Sequence, residues 1–139
     1  MSWLLDTCVI SEATKRRPIP KVLAWLDQQE ETQLYLSVLT LGELEKGIRK
    51  LPAGGQRARL ARWLSRDVVE RFSGRILFVD AEVALTWGRM QAEAERQGRP
   101  LSTVDSLIAA TGIARDFVVV TRNTKDMRAT GAEILDPWE

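Results

Sequence analysis

Apolar residues in this chain follow two spacings. Short continuous runs stand at Trp3–Leu5, Leu34–Leu36, Ile76–Val79 and Phe117–Val120, with a weaker one at Ile134–Leu135. The first four, short and rich in large or β-branched residues, predict buried strands. Between them, apolar positions recur every three to four residues, the spacing of amphipathic helices. Pro20 opens a helix to about Gln29, with Val22, Leu23 and Leu26 inward. Leu41, Leu44, Ile48 and Leu51 form a second stripe, and Leu60, Leu64, Val68 and Phe72 a third, with Trp63 beside it. Val83, Trp87, Met90 and Ala94 form another, and Thr103 to Arg115 reads as a helix with few polar residues. Breakers mark loops at Pro52–Gly55 and Gln97–Pro100. Strands alternating with helices predict an α/β sandwich built on a parallel sheet. No repeat, low-complexity tract or linker divides the chain, so residues 1–139 are expected to form one domain.

Composition narrows the chemistry. At 139 residues the chain can bury a core without disulfide or metal staples. Its one cysteine, Cys8, has no partner within the chain, so a reducing cytoplasm is the expected setting. No secretory apolar segment stands at the N-terminus, and no apolar run nears the roughly 20 residues of a membrane span. Histidine is absent. That excludes imidazole bases, Ser-His and Cys-His pairs and most zinc sites. An enzyme of this composition must work with carboxylates and hydroxyls, and a hard cation would serve them. The net charge of +1 selects no partner.

Ligands of open parallel sheets bind beyond the carboxyl ends of the strands, near the point where strand order reverses. Asp6 follows the first strand; Asn123 and Asp126 follow the fourth. Glu43 and Asp105 are expected in the first turns of helices. Thr40-Leu41-Gly42-Glu43 and Ser102-Thr103-Val104-Asp105 also have the form of capping boxes, worth about 0.5–2 kcal/mol to a helix with no catalytic role. Asp6 has an equal structural reading as a helix cap. Two features favour a site. Asp105 is the only charged residue from Leu101 through Ala114, and no lysine or arginine adjoins Asp6 in sequence. If Asp6, Glu43 and Asp105 converge, neighbours at ~4 Å repel by about 4 kcal/mol at an effective dielectric near 20. A shared proton or a divalent cation relieves that repulsion, and oxygen-only ligands favour Mg²⁺ or Mn²⁺. Asp80 also follows a strand but is expected to cap a helix at the sheet edge. Glu12, Glu45 and Asp136 are expected to be solvated or structural.

These residues, in this order, resemble the PIN-domain ribonucleases, in particular the VapC and FitB-like toxins of bacterial toxin–antitoxin pairs. The resemblance runs from Leu4-Leu5-Asp6-Thr7 through Leu39-Thr40-Leu41-Gly42-Glu43-Leu44 with Gly47, then Gly98-Arg99-Pro100 and Asp105-Ser106-Leu107-Ile108-Ala109-Ala110. It closes with Thr121-Arg122-Asn123 and Asp136-Pro137-Trp138. It implies a three-layer sandwich with a five-stranded parallel sheet in the order 3-2-1-4-5. It also implies Mg²⁺-dependent cleavage of single-stranded or loop RNA by a metal-activated water. Asp6, Glu43 and Asp105 match the family's core acids and would hold the metal. The fourth acidic position falls on Asn123, whose amide adds no negative charge; Asp126, one helical turn later, is a candidate to compensate. Cys8 stands where asparagine is usual. The resemblance further implies a homodimer and a cognate antitoxin whose helix lies in a hydrophobic groove.

The remaining candidates surround that centre. Thr7, Ser37 and Thr121 are hydroxyls expected near strand ends, suited to a phosphate or to a metal's water shell. Arg59, Arg62 and Arg66 form a basic stripe at i, i+3 and i+7, suited to RNA backbone contacts, and Lys15-Arg16-Arg17 follows the first helix. Their alternative is a solvated helix face beside Asp67 and Glu70. Five tryptophans are many for this length, and Trp3, Trp25 and Trp63 are candidates for a partner surface. Two further readings stay open: a PIN-like module that binds RNA or a protein without cutting, and a phospho-acceptor domain using Asp6. The second lacks the arrangement of acids and lysine it needs.

Overall fold

The computed structural model describes residues 1–139. Five parallel strands form one sheet in the order β3-β2-β1-β4-β5: β1 (Trp3–Leu5), β2 (Leu34–Ser37), β3 (Ile76–Leu77), β4 (Val118–Val120) and β5 (Ile134–Leu135). The four strands predicted from the stronger apolar runs stand where those runs lie, and the weaker run forms β5. β3 ends two residues early, because at an edge only two residues find partners on β2.

Seven α-helices connect them: α1 (Thr7–Glu12), α2 (Pro20–Gln28), α3 (Val38–Arg49), α4 (Gly55–Trp63), α5 (Ala81–Arg96), α6 (Thr103–Arg115) and α7 (Thr124–Arg128). A short 3₁₀ turn at Glu31–Gln33 precedes β2. The stripe Leu60–Phe72 departs from expectation: α4 widens at Trp63 into a π-helical segment over Leu64–Glu70. No helix is long and apolar enough to cross a membrane.

The pleat of the strands builds two cores, one on each face. Leu5, Leu36 and Val120 point to one side and pack with Val9, Val22, Leu44, Ile48, Leu64 and Val68 from the helices there. Leu4 and Val119 point to the other and pack with Ile108, Ala109 and Met127. Gly112 lets α6 approach the sheet: a Cβ there would lie 2.6 Å from a methyl of Val119. That close seat fixes the height of α6 against β4, and so the position of Asp105 near its N-terminus. Three layers with the sheet in the middle put the reversal of strand order between β1 and β4, where both strands end side by side.

Candidate functional site

Register decides the first contact. Leu5 pairs with Val120, so the next residues, Asp6 and Thr121, stand opposite each other. The Asp6 N–H donates to the Val120 carbonyl at 2.9 Å, and Thr121 Oγ1 donates to Asp6 Oδ2 at 2.7 Å. Asp6 Oδ1 accepts the N–H of Thr7 at 2.8 Å as α1 begins. Asp6 is 6 % exposed. Burial raises its pKa above the ordinary 3.8; the Thr121 and Thr7 hydrogen bonds oppose that, and the charges of Asp105 and Glu43 reinforce it.

Glu43 arrives from α3. Thr7 Oγ1 donates to Glu43 Oε1 at 2.5 Å and lies 3.2 Å from Thr40 Oγ1. Asp105 arrives from α6, and Asn123 Nδ2 donates to its Oδ2 at 3.1 Å. The Asn123 N–H donates to Thr121 Oγ1 at 3.0 Å, so one threonine hydroxyl ties the Asp6 side of the site to the Asp105 side. None of the chain's ion pairs reaches Asp6, Glu43 or Asp105.

Two structural explanations for these acids fail. The residue that caps α3 is Ser37, whose Oγ accepts the Leu39 N–H at 3.1 Å. Thr40 and Glu43 therefore lie inside the helix, Glu43 in its second turn, and form no capping box. Ser102 does occupy the cap position of α6, but its side chain makes no capping bond. Asp105 is held by Asn123 instead. Asp80 behaves as expected: it caps α5 through the Val83 N–H at 3.0 Å and pairs with Arg115.

The other candidates separate. Thr7 and Thr121 adjoin the acids and position them. Ser37 does not serve as a phosphate contact, because it is buried and its hydroxyl is used as a helix cap. Asp126 is exposed on α7 and shares with Asp105 a polar cavity of about 90 Å³, lined also by Ser102, Ser106 and Thr130. It makes no hydrogen bond to the group around Asp6 and Asp105. Arg59, Arg62 and Arg66 line a separate cleft with Ala13, Thr14 and Trp63, beyond the C-terminal end of α1. The acids sit at the other end of that helix, about 9 Å of rise away. Trp3 and Trp25 pack edge to face at 5.2 Å and lean on the core. Of the three candidate surface tryptophans only Trp63 lines the large apolar cavity of about 420 Å³ between α1, α2 and the π-helical segment. Glu12 is wholly buried, bonded to the Ile19 N–H and to Lys15, and serves structure.

Cys8 lies 3.9 Å from Asp6 Oδ2 and 3.8 Å from Thr121 Oγ1, and its sulfur accepts the Arg122 N–H at 3.5 Å. Burial and then the Asp6 charge push the thiol up, which disfavours a nucleophilic thiolate. Sequence reading missed Gln91 and Trp87. Both donate to Ser106 Oγ, at 3.1 and 2.9 Å, and Gln91 also reaches the Leu101 carbonyl, clamping the turn that presents Asp105. A glutamine on an exposed-looking helix carries no signal that would have found this.

The residues present suit a hydrated hard dication. Every donor is oxygen, the nearest acid is desolvated without a cationic neighbour, and Asp6, Glu43 and Asp105 keep free lone pairs. No three of them are arranged to hold one ion together. Mg²⁺ commonly takes one or two carboxylates and keeps several waters, so such an open set fits it.

A parallel 3-2-1-4-5 sheet with carboxylates gathered at the β1–β4 reversal defines a class of α/β proteins with an acidic centre at the switch point. The chain belongs to the PIN domain family, whose pattern matches residues 3–133. It is 39% identical over 136 residues to VapC ribonuclease Y4jK of Sinorhizobium fredii, covering 98% of this chain and 97% of that protein. It is 35% identical over 135 residues to Toxin FitB of Neisseria gonorrhoeae, covering 97% of each. The crystal structure of FitAcB from Neisseria gonorrhoeae superposes with a TM-score of 0.93 at 34% identity, covering 99% of both chains.

Proposed function

We propose that this chain is the toxin of a type II toxin–antitoxin pair, an endoribonuclease that cuts single-stranded or loop RNA with Mg²⁺ or Mn²⁺. Relatives named as ribonuclease and toxin, similar over nearly their whole length, support the activity. The observation that carries the site is Asp6: buried, flanked by Glu43 and Asp105, and neutralised by no side chain. A carboxylate in that position is costly without a cation.

In this reading Asp6 and Asp105 hold the metal. The metal supplies charge neutralisation at the attacked phosphate and a more acidic water. Thr121 and Thr7 hold the Asp6 carboxylate in one orientation. Asn123 does the same for Asp105 without adding charge. Thr7 aims Glu43, whose second oxygen is free to orient the attacking water or accept its proton.

The antitoxin is the proposed protein partner. The apolar cavity beside Trp63, with Val9, Ile10, Leu23 and Leu26 in its wall, suits the apolar face of a helix. The cleft of Arg59, Arg62 and Arg66 borders it. A homodimer and a cytoplasmic location complete the proposal.

The test is cleavage of structured RNA by the purified chain, free of antitoxin, with Mg²⁺ or Mn²⁺. Cutting by the unmodified chain, lost in Asp6→Ala and in Asp105→Ala, is the expected result. No cutting with either ion, or cutting by both variants as fast as by the unmodified chain, removes the enzyme and leaves a PIN-like binding module.

A further inference from the structure

Arg122 stands between the two residues that steady the carboxylates. Thr121 on one side bonds Asp6, and Asn123 on the other bonds Asp105. Its own N–H is tied to Cys8 Sγ, beside Asp6. The backbone of Arg122 is thus anchored at three consecutive residues to the centre of the site. Its guanidinium enters none of the chain's ion pairs, unlike those of Arg49, Arg71, Arg75, Arg96 and Arg115. It lies over the Trp138 ring, 5.4 Å from the centroid.

Trp138 is itself held. Its N–H donates to Asp136 Oδ1 at 2.8 Å, closing a turn, and its ring packs against the core beside β1 and α1. The indole N–H is buried and turned toward the Glu12 carboxylate, which it helps to keep charged. A ring held in this way gives the arginine a fixed flat support. Stacking leaves the edge of a guanidinium free, and that edge carries the N–H groups that match phosphate oxygens.

We propose that Arg122, stacked on Trp138, is the cationic rim of the acidic site and binds an RNA backbone phosphate next to the one that is cut. This rests on the ribonuclease reading above. The physical need is plain: a carboxylate centre repels a polyanion. The stripe of Arg59, Arg62 and Arg66 opens onto the far end of α1. Arg122 emerges from the segment that holds the acids. Trp138 is a positioning residue in this account, acting through Arg122.

The experiment measures binding of a short single-stranded RNA to the full chain by fluorescence anisotropy in EDTA, across a salt series, so that nothing is cut. Arg122→Gln is expected to weaken binding about tenfold and to lower the slope of log affinity against log salt by about 0.7, one phosphate's worth. Arg122→Lys keeps the slope and loses only part of the affinity. Trp138→Phe keeps an aromatic face and stays near the unmodified chain, whereas Trp138→Leu loses about two- to fivefold with the slope retained. Thermal melts of each variant separate these losses from unfolding. With Mg²⁺ present, Arg122→Gln raises KM and spares kcat. Unchanged affinity and slope in a folded Arg122→Gln chain overturns the proposal, even if the unmodified chain cuts RNA. A chain that binds RNA through Arg122 but cuts nothing keeps Arg122 as a backbone-phosphate contact and removes the ribonuclease reading instead.

Discussion

Asp6 and Asp80 play the same local part, each capping the helix that follows a parallel strand, in opposite surroundings. Asp80 sits at the sheet edge, its side chain 44% exposed, capping Val83 and paired with Arg115. Asp6 sits at the strand-order reversal, 6 % exposed, with two more carboxylates as its charged neighbours. Both accept a backbone N–H at the start of a helix. What separates them is the strand beside them. β1 lies between β2 and β4, so Asp6 meets residues from three other elements, while β3 has a neighbour on one side only. A helix cap is satisfied by its own turn. A buried acid among acids also carries a charge that no side chain offsets, and a bound cation would relieve it.

The contrast can be broken in order of size. Asp6→Asn keeps the shape and the hydrogen-bonding oxygen but removes the charge. If several kcal/mol of transition-state stabilisation pass through that charge, cleavage falls about a thousandfold or more, while Asp80→Asn stays within about twofold. Rates of RNA cleavage for both variants check this, and a large loss in Asp80→Asn would erase the distinction.

Stability should show the reverse ranking. Asp80→Ala removes a working cap and costs about 1 kcal/mol, a fall in Tm of about 3–4 °C for a chain of this length. Asp6→Asn in metal-free protein costs less, or raises Tm, because it removes a desolvated charge. Calorimetry of the two variants in EDTA makes the comparison.

The smallest effect is in pH dependence. Burial holds the Asp6 carboxyl above its ordinary value of 3.8, so the folded metal-free chain binds that proton more tightly than the unfolded chain. Below the unfolded value the group is neutral in both states and costs nothing. As pH rises from there through the folded value, stability from this group is lost, and it stays lost above it. Asp6→Asn removes this downward drift. Denaturant melts of metal-free protein from pH 4 upward read it as a difference in slope between the two chains.

Four strands were legible in the sequence because a parallel strand packed on both faces is a short apolar run; the fifth, at the sheet edge and only partly buried, left a weaker run. The pairing of Asp6 with Thr121 follows from register once β1 and β4 are neighbours, and so could be anticipated. The capping pattern at Thr40–Glu43 misled because a four-residue pattern does not say where a helix starts; Ser37, three residues earlier, captured the first turn. The π-helical widening after Trp63 left no mark in apolar spacing. Neither the Asn123 hydrogen bond to Asp105 nor the clamp of Gln91 on Leu101 and Ser106 was legible, since each joins side chains from separate helices and loops whose approach depends on packing. Arg122 looked like one arginine among many until its stacking on Trp138 was seen.

The most direct test of the acidic centre is Mn²⁺ binding followed by electron paramagnetic resonance, for the unmodified chain, Asp6→Asn and Asp80→Asn. The account predicts saturable binding by the unmodified chain and by Asp80→Asn, and its loss in Asp6→Asn. Equal Mn²⁺ binding by all three chains would contradict it.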